Sequence, residues 1–300
     1  MAEHNGIGFI DGQYCPREEL SLPVSDLGFA LCDMAYDAVH VRNGCFFRLE
    51  DHLDRFQRAI ERRRYTTLRY GRDQIREVLF ECVRRAELRD AMVMVVATRG
   101  TAAGYTKDLR TCINRLLAWS APYFAVVPDD RIESGVPVII SSVPRVPPES
   151  IDPTVKNFAR LDFSAALLEA YERGCEHAIL LDRDGNVTEG RGWNLFALFG
   201  GELVTPDTGV LEGITRQTVM ELCDDSNVEA RMDTIPGADL PGADELFMAS
   251  TAGGLIPIIG LDGKPVGDGT PGPVTRRLRD RYWALHDDPA YSTPVYSSDR

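Results

Sequence analysis

Lysine is nearly absent from this 300-residue chain. Of its 33 basic residues only Lys107, Lys156 and Lys264 are lysine, so any chemistry that needs an amine has three candidates. Basic charge is scarce overall, with 46 acidic residues giving a net charge of −13. That deficit argues against nucleic acid or an anionic lipid surface as a partner, since both need a basic footprint. No apolar run approaches the ~18 residues of a membrane-crossing helix. The seven cysteines are odd in number and form no CxxC, and the five histidines lack metal-ligand spacing. A disulfide framework and a zinc site are therefore not expected. The opening MAEHNGIGFIDG has neither the basic nor the apolar region of a signal peptide. A reducing, cytoplasmic setting is expected.

The length is about twice that of one ordinary domain, which predicts two. In the first, residues 7–14 and 38–48 alternate like strands around turns such as Asn43-Gly44. Leu49, Leu53, Phe56 and Ile60 repeat at helical spacing, as do Ile75, Val78, Leu79, Cys82 and Val83. AMVMVVATRG (91–100) reads as a buried strand, followed by a polar loop at 100–111 and a returning strand. The fold class expected is α/β, with an α+β arrangement in this smaller domain, over 1–120. Prolines, acids and a glycine place an inter-domain linker at 121–135. A larger domain over 136–300 opens on VPVIISSV. It continues through a helix at 158–173, short strands, a helix at 215–224 and a last helix with Pro273 in its first turn. Residues 287–300 read as a loose tail.

Which residues could carry chemistry? Lys264, in the turn LDGKPVG, reads as solvated. Lys107, in the loop GTAAGYTKDLR, reads as a surface lysine or a substrate contact. Lys156 differs, because Pro153 stiffens its approach and Val155 and Phe158 flank it. An ammonium in apolar surroundings is suited to Schiff-base formation, although a lysine that extends its amine to water fits the same context. GITRQT sets Gly213, Ile214 and Thr215 at a helix start, where amides could hold a phosphate or Thr215 could simply cap. STAGG (250–254) is a second turn able to cradle an anion or to do nothing more than turn. Glu189, in VTEGRGWN, could be solvated or could face a protonated ring nitrogen.

Taken in order, SDLGFALCDMAYD, RLEDHLDRF, RVPPESIDPTVKN, NVTEGRGWN, VLEGITRQ and DELFMASTAGGLIP resemble the fold-type IV pyridoxal-phosphate enzymes. The likeness runs over roughly residues 7–290. RVPPESIDPTVKN and RYWALHDDPAYS look most like the (R)-selective amine transaminases of that group. Branched-chain and D-amino-acid aminotransferases are the alternatives, and an aminodeoxychorismate lyase or a non-catalytic binding protein are remoter ones.

The resemblance implies a two-domain enzyme, usually a homodimer, with pyridoxal 5′-phosphate as cofactor and small amines and keto acids as substrates. Lys156 would be the Schiff-base lysine and proton carrier. Glu189 would face the pyridine nitrogen. Arg55, Ile214, Thr215, Thr251 and Ala252 would bind the phosphate. Leu31, Tyr36, Ala38, Met94, Tyr105, Lys107 and Arg110 would line the substrate pocket. Several positions depart from the family pattern. Cys32 stands where glycine often precedes the motif's aspartate, here Asp33. Leu31 replaces a basic or histidine side chain, and Met94 replaces a glutamate. Tyr105 falls near a loop arginine that binds a substrate carboxylate, with Lys107 and Arg110 close by.

Overall fold

A computed structural model describes residues 6–296. The chain divides into two units. Among the described residues, the first comprises 6–124, 155–159 and 286–296, and the second comprises 125–154 and 160–285.

The first unit is a seven-stranded sheet in the order Ser292–Pro294, Cys45–Phe47, Met34–Arg42, Ala91–Thr101, Ile113–Pro122, Ile7–Ile10, Gln13–Pro16. Every neighbouring pair in it is antiparallel. Asn43 and Gly44 both take positive φ, 51° and 78°, as the two-residue turn between the strands they join requires. Period-two alternation divides the long strands. Ala35, Val39, Val41, Val93, Val95, Ala97, Leu116 and Ala118 meet the apolar faces of the helices Leu49–Arg62 and Arg72–Ala86. Tyr36, Val96 and Leu117 are aligned on the opposite face, with Met34, Met94, Trp119 and Phe158 packed around them.

In the second unit the strands run Ala230–Met232, Glu202–Thr205, Trp193–Phe199, Glu245–Ser250, Gly254–Leu261, Val136–Ile140, Ala178–Leu181, Val187–Gly190. Lys264–Pro265 pairs with Gly254–Leu261. Val187–Gly190 pairs back onto Trp193–Phe199, so part of the sheet closes on itself. Its core includes Val136, Ile179, Trp193, Leu195, Met248 and Ile256. The helices are Leu161–Glu172, Ile214–Ser226 and Pro273–Ala284.

Three features of the division differ from the sequence expectation. Residues 155–159, expected in the larger domain, return to the first unit, where Asn157 bridges to Ala35. The stretch expected as linker is packed in part, with Val127 and Ile132 buried in the second unit's core. Of the loose tail expected over 287–300, the described part, 287–296, is ordered, and 297–300 lie outside the described residues. Ser292–Pro294 adds a strand beside Cys45–Phe47, and Val295 is buried. A pairing partner distant in sequence ordered a segment whose own composition gave no sign of it.

Candidate active site

Lys156 is half-buried in the first unit. Its carbonyl accepts from the Tyr36 amide at 2.9 Å, which ties the segment to the strand Met34–Arg42. Its Nζ lies 4.9 Å from the centroid of the Tyr36 ring. Phe158, two residues on, packs against the same ring at 4.6 Å. An amine over an aromatic face keeps a favourable contact while shedding water. Neither Lys107 nor Lys264 has such a setting; both are exposed.

Behind that strand lies a buried ionic group. Arg55 donates from Nε and Nη2 to the two oxygens of Asp37, each at 2.8 Å, and His52 Nδ1 is 2.7 Å from Asp37 Oδ1. Burial works to raise the Asp37 carboxyl, but Arg55 and His52 outweigh it and hold the group well below the usual carboxylate range. His52 is held below its ordinary value, first by burial and then, against the pull of Asp37, by the cations Arg55 and Lys156. Arg55, expected on a phosphate, is thus already oriented through a bidentate contact.

The second unit carries Glu189, which is 4% exposed. Its Oε1 accepts from Arg145 Nη2 at 3.2 Å. Its Oε2 accepts from Asn194 Nδ2 at 3.3 Å and from the Leu211 amide at 3.0 Å. Arg145 also donates from Nη1 to Asp162 Oδ2 at 2.5 Å. A few residues on, Gly213 precedes the helix Ile214–Ser226. Among the described residues, no acceptor pairs with the amides of Ile214 and Thr215, and Gly213 brings no side-chain cap. A helix start in that state suits an anion. Arg216 in the next position is pushed down by burial, which Glu212, Asp207 and Glu189 oppose. In the turn after Glu245–Ser250, the Ala252 amide donates to Ser250 Oγ at 3.2 Å. That bond competes with the expected role of Ala252 at a phosphate, whereas Thr251 stays half-buried.

The expected pocket residues all belong to the first unit. Tyr36, Ala38 and Met94 share one sheet face, with Ala38 directly opposite Met94. Leu31 ends the helix Leu27–Leu31 and is 50% exposed. Cys32 follows it at φ 53°, the left-handed conformation for which glycine carries no steric cost. Lys107 is exposed, and Arg110 is closed onto Asp108, donating from Nη2 at 2.7 Å. The side chain of Tyr105 lies outside the described residues.

Each unit by itself carries groups that fit pyridoxal phosphate. Asp162, Arg145 and Glu189 set two buried carboxylates against one guanidinium, a surplus that a protonated pyridine would balance. The two unpaired amides at the Ile214 helix suit the phosphate, and Lys156 supplies an amine against an aromatic ring. Reading the sequence missed Asp37, His52, Arg145, Asp162 and Asn194. Asp37 gave the plainest signal, an acid inside the largely apolar strand MAYDAVHV. Asp162, in the first turn of a helix, looks like any charge placed there for the helix dipole.

A family model described as "Amino-transferase class IV" matches residues 34–260. The chain is 29% identical over 276 residues to a putative branched-chain-amino-acid aminotransferase of Methanocaldococcus jannaschii, covering 91% of this chain and 94% of that one. Among solved structures it is similar to the branched-chain aminotransferase of Thermoproteus uzoniensis with norvaline. There the TM-score is 0.88 at 27% identity, with 97% of this chain and 99% of that one covered. The branched-chain amino acid aminotransferase of Thermobaculum terrenum, solved in its PLP form, gives 0.85 at 26% identity, with 98% and 100% covered.

Proposed function

Since the chain belongs to the class IV aminotransferases, fold-type IV enzymes that work with pyridoxal phosphate, we propose that it moves the amino group of a branched-chain amino acid to a keto acid. The curated relative and solved structures that carry a branched-chain name support this donor over the (R)-amine expected from the sequence. The buried Glu189 carboxylate, fixed by three donors, carries the cofactor part of the reading.

When bound, the cofactor supplies an electrophilic aldehyde and a ring that takes up electrons. The chain's own residues do the rest. The Lys156 amine would hold the aldehyde and, when free, would take up at Nζ the proton lost from the donor's α-carbon. Glu189 would accept a hydrogen bond from the ring nitrogen and keep its proton in place. In the second unit the amides of Ile214 and Thr215, with Thr251, would hold the phosphate, and Arg55 of the first unit is proposed as a further phosphate ligand. Tyr36, Ala38, Met94 and Leu31 shape the space for an apolar side chain.

A specific observation favours a second reading, an (R)-amine donor without a carboxylate. Arg110, the loop's candidate for binding a carboxylate, is engaged by Asp108, and Met94 stands in an apolar cluster. One panel separates the two on a single preparation: L-leucine and D-alanine with 2-oxoglutarate, and (R)-1-phenylethylamine with pyruvate. L-Leucine is expected to give the highest kcat/KM. A higher value for the amine establishes the second reading, and no transfer with any donor overturns both.

A homodimer is proposed as well, supported by Val24, Phe29 and Leu31, apolar side chains exposed along one short stretch. No helix among the described residues is long and apolar enough to cross a membrane. The seven cysteines are all free, which supports a reducing cytoplasmic location.

A further inference from the structure

The contacts of Glu189 account for one carboxylate, yet the guanidinium beside it serves two. Arg145 is nine-tenths buried, and its Cζ lies 4.2 Å from the centroid of the Phe163 ring. One end donates to Glu189 Oε1 at 3.2 Å and the other to Asp162 Oδ2 at 2.5 Å. Asp162 is itself buried and held at two further points. Its Oδ2 accepts from the Val146 amide at 3.1 Å, and its Oδ1 accepts from the Phe163 amide at 2.8 Å. Arg145 contacts no other carboxylate among the described residues. The nearby Arg216 makes its hydrogen bonds to neutral acceptors, Thr205 Oγ1 and the Pro206 carbonyl.

Consider the same site without Asp162. Arg145 and Glu189 would form a closed, neutral pair. A protonated pyridine added to it would be a surplus cation in a buried setting, which is costly. With Asp162 present, the cluster carries one unbalanced negative charge and is completed by a cation.

We propose that Asp162 is a positioning residue of the cofactor site: by occupying Arg145 it leaves the charge of Glu189 for a protonated ring nitrogen. It acts through Arg145 and Glu189 and needs no contact with the cofactor. The proposal rests on the reading of Glu189 given above.

The test compares two ligands on the full-length protein after the cofactor has been removed. One is pyridoxal 5′-phosphate; the other is its 1-deaza analogue, which has carbon in place of the ring nitrogen. Dissociation constants are measured by equilibrium dialysis for the wild type, Asp162→Asn, and the double variant Arg145→Gln with Asp162→Asn. Asp162→Asn is expected to weaken pyridoxal phosphate about tenfold or more, equivalent to ~1.4 kcal/mol. The analogue should change by less than about twofold, because it has no ring charge to balance. The double variant restores the single negative charge and should recover most of the lost affinity, a non-additive result. Each comparison is a ratio of two ligands on one protein, so a general loss of folding cancels. Equal weakening of both ligands, no weakening of either, or a double variant weaker than the single one overturns the proposal. Glu189→Gln tells the two levels apart. If it leaves the ratio unchanged, the reading of Glu189 itself fails; if it lowers the ratio while Asp162→Asn does not, only the role of Asp162 falls.

Discussion

Asp37→Asn probes the ionic group that orients Arg55. In the native protein Asp37, His52 and Arg55 are each no more than 4% exposed. Asp37 takes both charge-assisted bonds from Arg55 as well as the contact with His52. Removing one partner of a buried pair costs ~3–5 kcal/mol, because the other charge is left uncompensated. Asparagine keeps the shape and one acceptor oxygen, so the lower end, about 3 kcal/mol, is expected at pH 7. That is a large share of the ~5–15 kcal/mol that holds a typical protein folded.

The pH dependence provides a sharper check. Folding lowers the Asp37 carboxyl, so its contribution is complete above the unfolded value of ~3.9 and is lost as pH falls through the folded value. The deficit of Asp37→Asn against wild type should therefore shrink by about 1 kcal/mol between pH 5 and pH 3. Urea denaturation of the cofactor-free proteins, followed by far-UV circular dichroism, measures both quantities. Equal stability at pH 7, or a deficit that stays constant down to pH 3, would refute the reasoning.

Three further substitutions test the assignments. Lys156→Ala should abolish transamination and the adduct that borohydride fixes in the wild type, read by mass spectrometry and loss of the visible band; retained turnover would remove Lys156 from the chemistry. Gly213→Ala puts a methyl 2.1 Å from Asn194 Oδ1 and must displace the side chain that bonds Glu189. A loss of ~1–3 kcal/mol in stability, with weaker cofactor retention, should show in thermal melts with and without the cofactor. Cys32→Gly releases an exposed side chain from φ 53° and should stabilise by about 0.5 kcal/mol, the left-handed cost less the extra freedom gained by the unfolded chain. Lower stability in urea would mean that Cys32 makes a contact worth more than its strain.

The sequence by itself determined what is local or combinatorial. Among three lysines, Lys156 alone had apolar neighbours and a stiffened approach, which made it the first candidate for the amine. The spacing of Leu49, Leu53, Phe56 and Ile60 marks a helix, and Asn43-Gly44 marks a turn, because backbone geometry repeats over a few residues. Six short motifs in one order identified the family, though the finer likeness to amine transaminases is not what the relatives' names support. Tertiary structure decided the rest. Residues 155–159 return to the first unit, and Ser292–Pro294 becomes a strand, because their pairing partners lie more than 100 residues away in the sequence. Asp37 reads as a lone acid in a strand until Arg55 and His52 arrive from a helix. Arg145, in a proline-rich turn, and Asp162, in a helix's first turn, look like ordinary solvated charges. Only folding removes them from water against Glu189, and charge becomes decisive where water no longer screens it.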